Sequence, residues 1–184
     1  MFSQDSEPFT LQRDVRAVII PAGMEVNLRK STKGFITQGL GGNFTVYVEG
    51  SLFRIDGKDA DALGKEPVKP PEVPEGISDD DFEQIIWRQL KTCYDPEIPV
   101  DIVELGLIYR CEVTTKEDGG RDVEVDMTLT APGCGMGDIL VQDVEQKVAI
   151  VPTVESINVQ LTFDPPWNHM MMSDEARLQT GMMY

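Results

Sequence analysis

Apolar and polar residues alternate at strict period two from Asp122 to Thr130 (Asp-Val-Glu-Val-Asp-Met-Thr-Leu-Thr), which predicts a half-buried strand. Leu140, Val141, Val144, Val148 and Val151 then recur at helical spacing, with Gln142, Asp143, Glu145, Gln146 and Lys147 on the other face. Pro152 stops that helix, and a second alternating run places Ile157, Val159, Leu161 and Phe163 on one face. Strand, helix, strand reads as a right-handed crossover between two parallel strands. Upstream, Leu107, Tyr109, Cys111 and Val113 share one face of a strand and Ile108, Arg110 and Glu112 the other, and Lys116 to Gly120 turns it back as a hairpin. A helix opens before it at Ser78-Asp79-Asp80-Asp81, where Ser78 caps and the aspartates suit the positive end of the dipole. Its apolar face is Phe82, Ile85, Ile86, Leu90 and Cys93, and it stops before Asp95-Pro96.

The fold class predicted is α+β. A C-terminal α-β-β-α-β domain, with a small mixed sheet and helices on one face, follows a small all-β N-terminal module. Residues 1–13 read as a polar arm. From Asp14, short alternating runs (Val15–Ile20, Met24–Leu28, Phe44–Val48, Leu52–Ile55) are broken by Gly39-Leu40-Gly41-Gly42-Asn43, Gly50-Ser51 and Asp56-Gly57. The expected division is a β-barrel-like module over 14–63, a proline-rich linker over 64–77, the α/β domain over 78–165 and a methionine-rich tail over 166–184.

Charge narrows the function. The chain of 184 residues carries a net charge of −16, which argues against nucleic acid and anionic membrane surfaces as partners. No apolar run reaches membrane-spanning length, and the N-terminus lacks a basic region followed by an apolar stretch, so a cytoplasmic protein is expected. The three cysteines, Cys93, Cys111 and Cys134, are widely spaced and read as free thiols. A single histidine, His169, makes a self-contained histidine-rich metal site impossible.

Candidate chemistry centres on the turn Thr130-Ala131-Pro132-Gly133-Cys134-Gly135-Met136-Gly137-Asp138. Sites in strand–helix–strand units sit past the end of the first strand, where the helix begins. Helix-start N–H groups there favour a thiolate at Cys134, and Gly133, Gly135 and Gly137 keep the backbone bare for a bulky partner. The simpler alternative is a small residue filling a turn. Cys93 and Cys111 fall on apolar faces and read as core. Asp95, Glu97, Asp101 and Glu104 crowd one loop and could include a hard-metal ligand or an acid/base pair; the plainer reading makes Asp95 a turn brace, and Asp101 either a brace or a residue returning to the sheet end near Cys134. His169 beside Met170, Met171 and Met172 offers soft-metal ligands, yet clustered methionine more often makes an adaptable partner surface, and Trp167 suits an anchor for the tail.

Three blocks, Asp95-Pro96-Glu97-Ile98-Pro99, Asp101-Ile102-Val103 with Leu105-Gly106-Leu107, and Thr128-Leu129-Thr130-Ala131-Pro132-Gly133-Cys134, resemble the family of small iron–sulfur assembly proteins, which includes SufT-type and PaaD-like members. Pro21-Ala22-Gly23, Gln38 to Gly42, Asp59 to Gly64 and Asp164-Pro165-Pro166-Trp167 look like the longer SufT-type branch. Many relatives have proline after the cysteine, where this chain has Gly135. The resemblance implies a non-enzymatic maturation factor that helps transfer or insert iron–sulfur clusters. Cys134 would be its reactive thiol or transient cluster ligand, with Asp101, Thr130, Gly133 and Gly135 in support. Its partners would be a cluster scaffold or carrier, client apoproteins and a second copy in a homodimer. The rivals are a thiol-dependent enzyme with Cys134 as nucleophile, and a non-catalytic adaptor subunit of the PaaD-like type.

Overall fold

The computed structural model describes residues 6–95, 98–133 and 135–182. The chain divides into two compact units, Met1–Lys69 and Pro70–Tyr184.

The first unit is one antiparallel sheet of six strands: β1 (Glu7–Thr10), β2 (Val15–Ile20), β3 (Glu25–Leu28), β4 (Lys33–Gln38), β5 (Phe44–Val48) and β6 (Ser51–Ile55), in the order β1-β4-β5-β6-β2-β3. Glu49 and Gly50, both at positive φ, form the two-residue hairpin between β5 and β6. Phe9, Leu11, Val15, Ala17, Ile36, Val46, Val48 and Ile55 belong to its core. The expected polar arm over residues 1–13 is corrected for residues 6–13; residues 1–5 lie outside the described residues. Phe9 and Leu11 are buried, β1 pairs with β4, and Arg13 binds Asp59 and Asp61 of the 3-10 helix Gly57–Leu63.

The second unit follows the predicted order: α1 (Asp79–Leu90), β7 (Ile108–Thr115), β8 (Arg121–Met127), α2 (Gly137–Ala149) and β9 (Val154–Leu161), then a 3-10 turn (His169–Met171) and α3 (Asp174–Thr180). The sheet order is β7-β8-β9, with β7 antiparallel and β9 parallel to β8. The Ser78 hydroxyl caps α1 by accepting from the Asp81 N–H at 3.1 Å. Phe82, Ile85, Ile86 and Leu90 of α1 and Leu140, Val144 and Val148 of α2 share one core with Val123, Val125 and Met127 of β8. The other sheet face is polar, with Arg110 paired to Glu112, Glu124 and Asp126. No helix among the described residues is long and apolar enough to cross a membrane.

Three expectations are corrected. A register shift between Ile108 and Arg110 inserts Tyr109, so Ile108 joins Cys111 and Val113 at the core and the Tyr109 hydroxyl reaches out to the Pro165 carbonyl at 2.7 Å. On α2, Asp143 and Lys147 are buried rather than solvated, because α1 covers that flank. Lys147 donates to the Thr92 carbonyl at 3.1 Å, and Gln89 donates to the Lys147 carbonyl at 2.7 Å. The tail is not simply a methionine-rich surface, since Met172 and Ala176 lie in the core.

Candidate functional site

Strand β8 ends at Met127, three residues short of the predicted Thr130. Its extension is held by a different bond: the Thr128 N–H donates to the Leu107 carbonyl at 2.8 Å. That bond ties the strand end to the loop before β7, and Thr128 is completely buried. The Thr128 hydroxyl has no hydrogen-bond partner among the described residues, although the alternation places this side chain on the polar face. The signal available in the sequence is its position in the Thr128-to-Cys134 block; its burial and its bond to Leu107 are tertiary features that no local pattern shows.

Beyond it, the expectation of bare backbone at Gly137 is corrected: Gly137 is buried at the first helical position, where a Cβ would lie 2.7 Å from the Leu129 Cδ1, so it serves packing under α2 and not the approach of a partner. Thr130 is half-buried, and Ala131, Pro132, Gly133 and Gly135 are exposed. Gly133 has φ +77, and a Cβ added there would meet nothing within 4 Å, so the turn is open on that side. Cys134 lies outside the described residues. Met136 precedes α2 and has no side-chain oxygen with which to cap it, and the Leu140 N–H bonds back to the Met136 carbonyl at 2.9 Å. The amides of the first helical turn have no partners within the helix.

The segment 98–107, with Asp95 bonded to it, leads into β7 at the same sheet end. Asp95 braces its turn, with a carboxylate oxygen accepting from the Ile98 N–H at 3.0 Å. Glu97 lies outside the described residues. Asp101 accepts from the Val103 and Glu104 N–H groups, both at 3.0 Å. Burial pushes the Asp101 carboxyl above its ordinary value, opposed by the Glu104 amide and reinforced by the Glu104 charge. Glu104 is held below its ordinary value, first by the Ser173 side chain and then by Lys91, whose amine is 3.3 Å away. No hydrogen bond or ion pair among the described residues joins Asp101 to Thr130, Gly133 or Gly135. The strand end and the loop converge through the Leu107–Thr128 bond, not through direct contact of those side chains.

The other two thiols are poor reagents. Cys93 is fully buried, and burial with the nearby Glu83 charge pushes the Cys111 thiol up to about 12, so it stays protonated at neutral pH. His169 sits on the 3-10 turn of the tail, and no group of three histidine, cysteine or acidic side chains among the described residues is placed to hold a metal ion.

Comparison with known proteins gives a consistent picture. A family model described as "Iron-sulfur cluster assembly protein" matches residues 83–161. The chain is 48% identical over 103 residues to an Fe-S protein maturation auxiliary factor from Porphyromonas gingivalis, covering 55% of this chain and 92% of that relative. It is 40% identical over 88 residues to the Fe-S protein maturation auxiliary factor SufT of Staphylococcus aureus, covering 48% of this chain and 96% of the relative. A segment of 77 residues is 31% identical to part of an iron-sulfur cluster carrier protein from Synechocystis, covering 42% of this chain and 20% of the carrier.

Proposed function

The chain belongs to the iron–sulfur cluster assembly protein family, and from that premise we propose that it handles clusters during maturation through Cys134, as a transient ligand or reactive thiol. Its role is in iron–sulfur protein assembly and maturation. The observation that supports the finer reading is the junction of β8 and α2. Ala131, Pro132, Gly133 and Gly135 are exposed in the turn that leads into α2, a helix whose first amides lack helical partners.

A cluster is cargo on this reading. One thiolate cannot hold it, because clusters take several ligands. Buried Cys93 and the high-pKa Cys111 do not supply the others. The remaining ligands come from a donor, a client apoprotein, a second copy of the chain or a small thiol. Direct handover between ligand sets requires no catalytic turnover, and it suits a reducing compartment such as the cytoplasm, where the free thiols Cys93 and Cys111 also persist.

Anaerobic addition of iron and sulfide in the presence of a small thiol tests this reading. The expected result is visible absorption that is lost in Cys134→Ser and kept in Cys111→Ser. Absorption that survives Cys134→Ser overturns the ligand role. A covalent acyl adduct at residue 134 turns the reading toward a thiol enzyme, and neither signal turns it toward an adaptor.

A further inference from the structure

The tail has two faces of opposite character. Its inner face is fastened to the loop that carries Asp101. The Trp167 indole N–H donates to the Leu105 carbonyl at 2.7 Å, the Ser173 N–H donates to the Glu104 carbonyl at 2.8 Å, and Met172 and Ala176 enter the core. Gly106 lies so close beneath it that a Cβ there would meet the Met171 carbonyl oxygen at 2.2 Å. Its outer face carries large exposed apolar side chains, with Met170 66%, Leu178 68% and Met182 37% exposed. Leu178 stands two residues on from buried Ala176, on the opposite side of α3. Arg177 links the patch: one guanidinium nitrogen contacts the Met170 sulfur at 3.8 Å, and its carbonyl accepts from the Met182 N–H at 2.9 Å.

Charge says what fits there. Residues 70–184 hold 23 of the 32 acidic and 7 of the 16 basic residues, so the whole net charge of −16 falls on this unit. From Val148 onward Arg177 is the single lysine or arginine, and Asp174 neutralises it. Glu175 is exposed one helical turn before Leu178, and Asp164, just before the tail, is exposed as well. A second copy would bring the same acids against each other, and anionic lipid would be repelled in the same way. We propose that Met170, Leu178 and Met182 form a docking surface for a basic segment with an apolar face, carried by a protein partner.

Methionine adapts its shape to differing apolar side chains, and the acidic surround selects lysine- or arginine-rich segments. The docked segment lies at the site end of the sheet, because the loop holding the tail also holds Thr128 through Leu107. This inference stands apart from the chemistry of Cys134.

The test uses the full chain and three synthetic helical peptides: one with a leucine face and a lysine face, one with glutamate in place of lysine, and one with serine in place of leucine. Binding is read by fluorescence anisotropy at moderate salt. The leucine–lysine peptide should bind about tenfold tighter than either other peptide, and Leu178→Ser with Met170→Ser should remove most of that margin. Glu175→Lys should weaken it with the apolar face intact. The proposal is overturned if the leucine–lysine peptide fails to bind, if the three peptides bind alike, or if the double variant, folded by circular dichroism, binds as the parent does. Self-association of the parent that Leu178→Ser abolishes also overturns it, because a second copy would then be the occupant.

Discussion

Two glycines separate conformational strain from steric contact. Gly106 and Gly133 have φ of +73 and +77, but a Cβ at Gly106 meets backbone at 2.2 Å while one at Gly133 meets nothing within 4 Å. Gly133→Ala is predicted to cost about 1–2 kcal/mol, the left-handed backbone term alone. Gly106→Ala should cost clearly more, because the tail would have to lift from its loop; urea denaturation of both variants checks this, and equal losses would contradict it. Asp101 gives a pH-dependent prediction. Its folded pKa is raised, so the folded state holds the proton more tightly than the unfolded state. Its contribution to stability is therefore fully present below the ordinary carboxylate pKa and is lost as pH rises through the raised folded value. Asp101→Asn keeps an oxygen for the Val103 and Glu104 amides, so its melting temperature should exceed the parent's at pH 7, with the gap closing in acid. A gap independent of pH would contradict a burial cause. At this scale the apolar spacing already marked Cys93 and Cys111 as core, whereas Thr128 read as a solvated strand residue. It is buried where the chain bonds back to Leu107, some twenty positions away, which periodicity does not encode.

The elements of the second unit were legible because α1, β8, α2 and β9 each carry an apolar stripe, although that of β9 runs out into solvent at Leu161 and Phe163. Strand β7 was misread where the period breaks. The bulge at Tyr109 shifts the inward set to Ile108 and Cys111, and a single extra residue in a strand has no signature in composition. The tail was half legible. Trp167 behaves as the anchor it suggested, but three consecutive methionines look alike in sequence, and only the 3-10 turn sends Met170 outward and Met172 inward. Met172→Ala is therefore predicted to cost about 2–5 kcal/mol, as large-to-small changes in cores do, and Met170→Ala to stay within about 0.5 kcal/mol. Chemical denaturation of the pair decides it, and similar losses for both would remove the tail from the core.

For the whole molecule, the division between Lys69 and Pro70 falls inside the proline-rich stretch, while Val73 and Ile77 beyond it pack on the second unit's core. We predict that a fragment of residues 70–184 unfolds cooperatively by circular dichroism. One ending at residue 165 should melt at a lower temperature, having lost Trp167, Met172 and Ala176. A fragment 70–184 without a cooperative transition would mean that the chain has one indivisible core. Net charge was legible from composition, but its confinement to the second unit emerges only when the division of the chain is known. The role of Cys134 is tested most directly in cells lacking this chain. The activity of an iron–sulfur enzyme is measured per molecule of enzyme protein after restoring the parent, Cys134→Ser or Cys111→Ser, each at equal abundance. The parent and Cys111→Ser are predicted to restore activity and Cys134→Ser to leave it unrestored; full activity with Cys134→Ser would contradict a cluster-handling thiol at residue 134.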